Sequence, residues 1–149
     1  MATRLLGLGG LGEFGANSLL IEPESGGNVL IDAGAAFSDL AAFGVGYEVP
    51  DFGALADHAP QTVIFTHAHD DHIKGLAFLR EAYPAVEILA SGTTLAWARR
   101  AISNGEPLAT HELKGGTGQR AGPFGVEALP VSHSIPGAVV LRLRANPAP

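Results

Sequence analysis

The stretch of sequence that decides the fold is TVIFTHAHDDH, residues 62–72. Residues 62–65 are β-branched or aromatic and follow the breaker Pro60, so they predict a short buried strand. Polar residues that come directly after a buried strand stand on a rigid element, which is a common way to build a site. Here three histidines and two aspartates fall within six residues. A solvated loop has no reason to repeat metal-ligand types in this way, so the stretch predicts a metal site.

The spacing of these residues indicates which of them can bind the same metal ion. In an extended segment, residues i and i+2 point the same way, so His67 and His69 can both reach one ion. Asp71 and His72 follow where the chain turns, and they are candidates for a second ion nearby. Asp70 is expected to be solvated. Imidazole and carboxylate ligands suit zinc, with manganese or iron as rivals.

A second strand is predicted to end in polar residues. Residues 124–131 alternate apolar and polar side chains and lead into Ser132-His133-Ser134. With His67 and His69 already paired, His133 completes a tris-His set that leaves a fourth position for water, whose pKa such a zinc brings to about 7. In phosphoryl transfer, a second ion about 3.5–4 Å away would help to stabilise both the attacking and the leaving oxygen. Asp71 and His72 are therefore the predicted catalytic residues as well as ligands of that ion.

The remaining pattern predicts an α/β (α+β) fold. Short turns join the first three strands, which predicts an antiparallel meander, whereas later strands alternate with helices, which predicts parallel pairing. Gly-rich segments over 35–50 and 114–122 are expected to be loop and turn. The predicted strands are residues 4–9, 16–22, 29–31, 62–65, 86–90, 108–113, 124–131 and 138–143, and the predicted helices are 51–58, 76–82 and 91–103.

Four further features invite a functional interpretation that the context disfavours. The glycines of GLGGLG, residues 7–12, match a dinucleotide fingerprint, but a second strand follows where that motif needs a helix. We therefore expect them to form a tight, strained turn beside the site. His58 is expected to be a surface histidine at a helix end and His111 a sheet histidine, neither of them a ligand. Trp97 is expected to be part of the core.

Composition limits the class of protein. The chain has 149 residues, 46% of them apolar, no cysteines and a formal net charge of −6. That charge argues against a general nucleic-acid surface, although bound divalent ions invert the charge at a site and attract phosphate. No apolar run approaches the roughly 20 residues that span a bilayer, and no signal peptide is apparent. We expect one cytoplasmic domain without a membrane partner.

Several motifs resemble one family. The H-x-H-x-D-H signature resembles the metallo-β-lactamase superfamily, and four other stretches resemble ribonuclease J. The resemblance implies a partial αββα sandwich and a zinc- or manganese-dependent ribonuclease with two ions and with exonuclease and endonuclease activity on RNA. These stretches are GGLGEFGAN (9–17), IDAG (31–34), GVGYEVPDF (44–52) and HSIP (133–136).

The resemblance also gives Asp32 a role. From spacing alone, Asp32 is equally consistent with an aspartate that starts a turn. The family pattern implies that it supports the metal-binding loop without necessarily touching metal. The residues that bind substrate are not identified by any of these patterns.

The chain departs from the family pattern after His133. The family's ion-bridging aspartate follows this motif, yet no aspartate occurs after Asp71. Its last histidine ligand, its β-CASP insertion and its C-terminal parts have no counterpart. We therefore expect residues 1–149 to be the N-terminal part of a metallo-β-lactamase domain, with one tris-His site and weak or no activity.

Two other functions stay open on the sequence alone. One is a non-catalytic remnant that binds one metal, or that folds only with a partner chain supplying the rest of the domain. An exposed sheet edge where that half would pack predicts self-association or such a partner chain. The other is a hydrolase of a small ester or thioester. The glycine stretch and the HSIP motif favour the ribonuclease over this last alternative.

Overall fold

The computed structural model describes residues 2–102 and 107–145, which form three sheets flanked by helices. The strands are β1 (Thr3–Gly9), β2 (Ser18–Pro23), β3 (Val29–Ile31), β4 (Ala36–Phe37), β5 (Tyr47–Glu48), β6 (Thr62–Ile64), β7 (Glu87–Ala90), β8 (Thr110–Glu112), β9 (Gly116–Ala121), β10 (Phe124–Pro130) and β11 (Val139–Ala145). The α-helices are α1 (Asp70–Ile73), α2 (Leu76–Ala82) and α3 (Gly92–Ala101), and 3₁₀ helices cover Ala41–Phe43 and Phe52–His58.

The largest sheet has six strands in the order β1-β2-β3-β6-β7-β8. The first three pair antiparallel, and β3, β6, β7 and β8 pair parallel. Tight turns permit the first arrangement, and the helical crossovers between β6 and β8 impose the second. The predicted meander and the predicted parallel pairing are both confirmed.

Apolar residues cover both faces of this sheet. On β6, Val63 packs into one hydrophobic cluster with the helical residues Leu76 and Leu95. Its neighbour Ile64 packs into a second cluster with Val126 of the smaller sheet. Successive strand residues point to opposite faces, so a continuous apolar strand is expected wherever both faces are covered. The layers are therefore helices, six-stranded sheet and three-stranded sheet.

The three-stranded sheet has the antiparallel order β11-β10-β9 and corrects one prediction. Residues 116–121 form β9 instead of a Gly-rich turn. The strand forms because its backbone pairs with β10, with Ala121 opposite Phe124 and buried beneath it. Burial and cross-strand pairing outweigh the low strand propensity of glycine here.

The predicted loop over residues 35–50 also contains structure. β4 and β5 form a short antiparallel hairpin that encloses the 3₁₀ helix Ala41–Phe43. Two-residue strands give no usable periodicity, which is why the sequence pattern did not reveal them. The hairpin exposes the Phe37 ring, which is 82% accessible.

Helix α3 begins as predicted and faces the core differently. Ser91 is its N-cap and accepts a hydrogen bond from the Thr94 backbone N–H. The buried face carries Leu95 and Ala98, so Trp97 lies on another face and is 50% exposed. The expectation that Trp97 belongs to the core is therefore wrong. The predicted helix end at Ser103 falls outside the described residues.

Two histidines lie away from the predicted site, as expected. His58 ends the 3₁₀ helix Phe52–His58, and its Nδ1 lies 2.5 Å from Oε1 of Glu22. His111 is exposed on β8. Within the described residues, no helix has the length and apolar character needed to cross a membrane.

The packing of α2 predicts a contrast between two adjacent residues. Leu79 is fully buried and Phe78 is 43% exposed. We expect Leu79→Ala to lower the free energy of unfolding by about 2–5 kcal/mol, because it leaves a cavity in the core. Phe78→Ala is the control and should cost clearly less. Urea denaturation of both variants measures the difference, and equal losses would contradict the packing of α2 described above.

Candidate metal centre

The first two histidines of the site follow directly from the end of β6. Phe65 is fully buried and anchors the chain, which bends at Thr66 and reaches His69 just before α1 begins at Asp70. This short segment brings the two imidazoles together, and His67 Nε2 lies 3.1 Å from His69 Nδ1. The geometry agrees with the i, i+2 spacing from which their convergence was predicted.

The third histidine arrives from the other sheet. His133 follows β10, and its ring centroid lies 4.7 Å from that of His67 and 4.8 Å from that of His69. A backbone hydrogen bond from Val139 to the Thr66 carbonyl, 3.0 Å long, joins the two segments. One ligand atom from each of the three histidines lies within 4.8 Å of the others.

The surroundings of His67 favour its neutral imidazole. Burial first, and then the neighbouring rings of His72, His69 and His133, together lower the pKa of His67 to about 4. His67 is therefore unprotonated at neutral pH, which is the form that coordinates a metal. Three imidazole nitrogens this close together fit a divalent ion, with zinc or another imidazole-binding metal favoured over magnesium or calcium.

Asp32 supports the site from beneath. Its carboxylate is buried and accepts hydrogen bonds from the Thr66 backbone N–H and hydroxyl, both 2.8 Å long. The same carboxylate lies 2.7 Å from His72 Nδ1. Burial raises the pKa of Asp32, against these hydrogen bonds. Asp32 therefore contacts the loop and His72, as the supporting role implies, and its backbone adopts the uncommon left-handed φ of +59°.

Asp71 and His72 stand beside the triad on α1. The His72 ring centroid lies 4.0 Å from that of His67, and His72 Nε2 lies 3.4 Å from Asp71 Oδ2. Burial lowers the pKa of His72, but the hydrogen bond and charge of Asp32 outweigh it and raise the pKa overall. Asp70 points outward, with a side chain 65% exposed and paired with Lys74. The structure thus separates the two adjacent aspartates as expected.

One residue of the site was not predicted from the sequence. Asn17 Nδ2 lies 3.1 Å from Asp71 Oδ2 and 3.3 Å from His72 Nε2. Its only signal in the sequence is its place at the end of the glycine stretch 9–17. Gly10 and Gly15 of that stretch have positive φ, as a tight turn beside the site requires.

A cavity of about 440 Å³ opens beside His69 of the triad and Asp71. Lys74 and Tyr47 both line this cavity, and Lys74 Nζ lies over the Tyr47 ring, 4.9 Å from its centroid. The cavity could not be derived from spacing, because its walls come from six separate segments of the chain. Its aromatic walls are Phe14, Phe37, Tyr47 and Trp97.

Comparison with protein families gives one match across most of the chain. The sequence profile of the metallo-β-lactamase superfamily matches residues 11–146. This fold implies divalent metal binding, and the triad of His67, His69 and His133 is present.

Three bacterial proteins named ribonuclease J are similar in sequence. Similarity to the Corynebacterium glutamicum protein is 31% identity over 144 residues, which cover 95% of this chain and 20% of that protein. For Sinorhizobium meliloti it is 34% over 151 residues, or 95% and 26%. For Helicobacter pylori it is 41% over 81 residues, or 52% and 12%. The chain thus spans at most about a quarter of the length of these relatives.

Solved structures share the fold at low sequence identity. The metallo-β-lactamase fold protein YhfI from Bacillus subtilis has a TM-score of 0.65 and 17% identity, covering 96% of this chain and 59% of its own. A protein of unknown function from Enterococcus faecalis has a TM-score of 0.71 and 20% identity, with coverages of 96% and 41%. The predicted α/β class with a metallo-β-lactamase fold is confirmed.

The convergence of the triad predicts how one substitution affects metal content. We expect His133→Ala to lose bound metal, because it removes one of three nitrogen donors, and His111→Ala to retain it, because that residue is exposed on β8. Elemental analysis after purification and dialysis gives the metal per chain. Equal metal content in the two variants would show that His133 is not a ligand.

Proposed function

The chain belongs to the metallo-β-lactamase superfamily, and from that premise we propose that it is the metal-binding part of a ribonuclease J-like hydrolase that acts on RNA phosphodiesters. The observation that carries the proposal is the meeting of His67, His69 and His133 at one point, with Asp71 and His72 beside them. The similarity to proteins named ribonuclease J over most of this chain supports the substrate class.

Each polar residue of the site has a proposed role. His67, His69 and His133 hold one divalent ion, zinc first and manganese as the alternative. Asp71 and His72 serve a second ion, and Asp32 keeps His72 in the tautomer that carries its proton on Nδ1. Bound in this way, the ions would supply Lewis acidity, which activates water and stabilises charge on a phosphoryl group.

The cavity beside the triad supports a single-stranded nucleic acid as the ligand. Phe37 and Trp97 offer exposed aromatic surface within reach of the metal centre. Proteins commonly stack unpaired bases on such rings, and stacking tolerates any base. His69 and Asp71 also line this cavity, so we expect the phosphate of a base bound there to lie close to them.

Activity of the 149-residue chain is expected to be weak. Within residues 1–149, no aspartate follows Asp71 that could bridge two ions. We propose that residues 1–149 are the N-terminal part of the domain, consistent with their match to about a fifth to a quarter of the relatives' length. The same proposal includes a cytoplasmic location and both exonuclease and endonuclease activity for the ribonuclease J-like protein.

Binding of RNA tests the proposal more sharply than turnover. Trp97 is the single tryptophan of the chain and lines the cavity. We expect single-stranded RNA with a 5′-monophosphate to quench its fluorescence saturably when Zn²⁺ is present, and the quenching to disappear with a chelator. Quenching that ignores the chelator, or faster hydrolysis of a small nitrophenyl ester than of RNA, would contradict the proposed substrate.

Two exposed phenylalanines provide a matched test of the cavity. Phe37 is 82% exposed and lines the cavity, whereas Phe43 is 83% exposed and does not. We expect Phe37→Ala to weaken RNA binding by about 1–3 kcal/mol, the usual contribution of one stacked base. Phe43→Ala should bind RNA as the unchanged chain does. Fluorescence titration compares the two, and equal affinities would exclude the cavity as the RNA site.

A further inference from the structure

Three polar atoms beside the triad form a nearly equilateral triangle. Asn17 Nδ2 lies 3.1 Å from Asp71 Oδ2 and 3.3 Å from His72 Nε2, and those two atoms lie 3.4 Å apart. Two ligand atoms bound to one zinc ion in tetrahedral geometry lie about 3.3–3.4 Å apart. Asp71 and His72 are therefore already spaced to share an ion, and Asn17 stands at the third corner.

The position of Asn17 is fixed by its backbone and its side chain together. Its backbone N–H donates to the Asp71 carbonyl over 3.0 Å, and its Nδ2 donates to the same carbonyl over 3.1 Å. Its own carbonyl accepts from the Gly34 N–H over 3.0 Å. These hydrogen bonds connect the loop after β1 to α1 at Asp71, whose carboxylate is part of the site.

Two glycines make this approach possible. A Cβ atom on Gly10 would lie 2.5 Å from Asn17 Oδ1, and Gly10 also has a φ of +77°. A Cβ atom on Gly34 would lie 1.8 Å from the Asp71 carbonyl oxygen and 2.8 Å from the Asn17 backbone nitrogen. Both contacts are too close for any side chain. The glycine stretch and the IDAG stretch thus both leave room for Asn17.

The hydrogen bonds of His72 determine what Asn17 meets. His72 Nδ1 faces the Asp32 carboxylate at 2.7 Å, so in the neutral ring the proton lies on Nδ1 and the lone pair on Nε2. Asn17 Nδ2 is a donor, and it faces this lone pair and the Asp71 carboxylate together. One amide group therefore sets the spacing of the two ligand atoms before an ion binds. Nε2 has a single lone pair, so an ion would replace the amide there, while Asn17 would keep its hydrogen bonds to the Asp71 carbonyl.

From these contacts we propose that Asn17 is a positioning residue that holds Asp71 and His72 in the arrangement that binds a second divalent ion. The proposal rests on the proposed function, in which these two residues serve that ion. Residues that hydrogen-bond to metal ligands commonly change metal affinity 10–100-fold when they are removed. Loss of Asn17 should therefore affect the second ion and leave the triad's ion unchanged.

Calorimetric titration with Zn²⁺ alone tests this assignment. We expect the unchanged chain to bind one ion at the triad and a second ion more weakly. Asn17→Ala should retain the first step and weaken the second about 10–100-fold. Asn28→Ala is the matched control, because Asn28 is also half-buried and donates to a backbone carbonyl, that of His58, away from the site. This control should match the unchanged chain in both steps.

A second measurement needs no variant and guards against a substitution that prevents folding. The side-chain amide of Asn17 gives its own nitrogen-15 NMR signal, as does that of Asn28. We expect the Asn17 signal to shift with the second equivalent of Zn²⁺ and the Asn28 signal to stay in place.

The outcomes separate this proposal from the proposed function. If the chain binds no Zn²⁺ at all, the triad assignment and the proposed function both fail. If the first ion binds but no second ion follows, the role of Asn17 is overturned and the triad stands. The same conclusion holds if Asn17→Ala matches the unchanged chain, or if the Asn17 signal ignores the second equivalent.

Discussion

The buried carboxylate of Asp32 is the interaction on which the site depends. It closes the end of β3, accepts two hydrogen bonds from Thr66 at the end of β6, and contacts His72 on α1. A buried carboxylate must have such partners, because an unsatisfied one costs far more than a hydrogen bond contributes. The Asp32 carboxylate therefore connects the ends of β3 and β6 to α1, and it fixes the direction in which the segment carrying His67 and His69 leaves the sheet.

The third histidine depends on a different constraint, the packing of one sheet on the other. His133 comes 61 residues after His72 in the chain, so no local rule can place it. Ile64 and Leu89 on the large sheet pack against Phe124 and Val126 on the small one. The Val139–Thr66 hydrogen bond then sets the small sheet against the end of β6. The triad thus exists only where both hydrophobic clusters have formed, which couples metal binding to folding.

Local patterns predicted the parts of this structure that local physics controls. The H-x-H spacing, the buried strand before it, the meander and the helical crossovers all follow from periodicity or turn length, and each is present. β9 was missed because backbone pairing with β10, and not side-chain propensity, makes it a strand. Trp97 was misplaced because hydrophobicity alone does not say which face of α3 it occupies.

Asn17 was missed for a related reason. An asparagine after a glycine-rich loop is ordinarily explained by turn chemistry, and nothing nearby in sequence marks it as part of a site. Its partners Asp71 and His72 lie more than 50 residues away. The signal in the sequence was the run of glycines before Asn17. The structure explains that run, because the glycines have positive φ values and backbone contacts too close for a side chain. Spacing rules find ligands on one element, whereas groups that orient ligands come from elsewhere in the fold.

The negative charge of the chain implies that, under the proposed function, the metal ions also help to attract the phosphate of the ligand. A formal charge of −6 disfavours the approach of RNA at long range, and Lys74, which lines the cavity, is paired with Asp70. His67 adds no positive charge at neutral pH, because burial, the largest cause, lowers its pKa to about 4. Under the proposed function, attraction for a phosphate at this site would come mainly from the bound ions, which invert the local charge. The ions that drive the chemistry would then also select the ligand, and the aromatic walls would hold the base of whatever phosphate the ions attract.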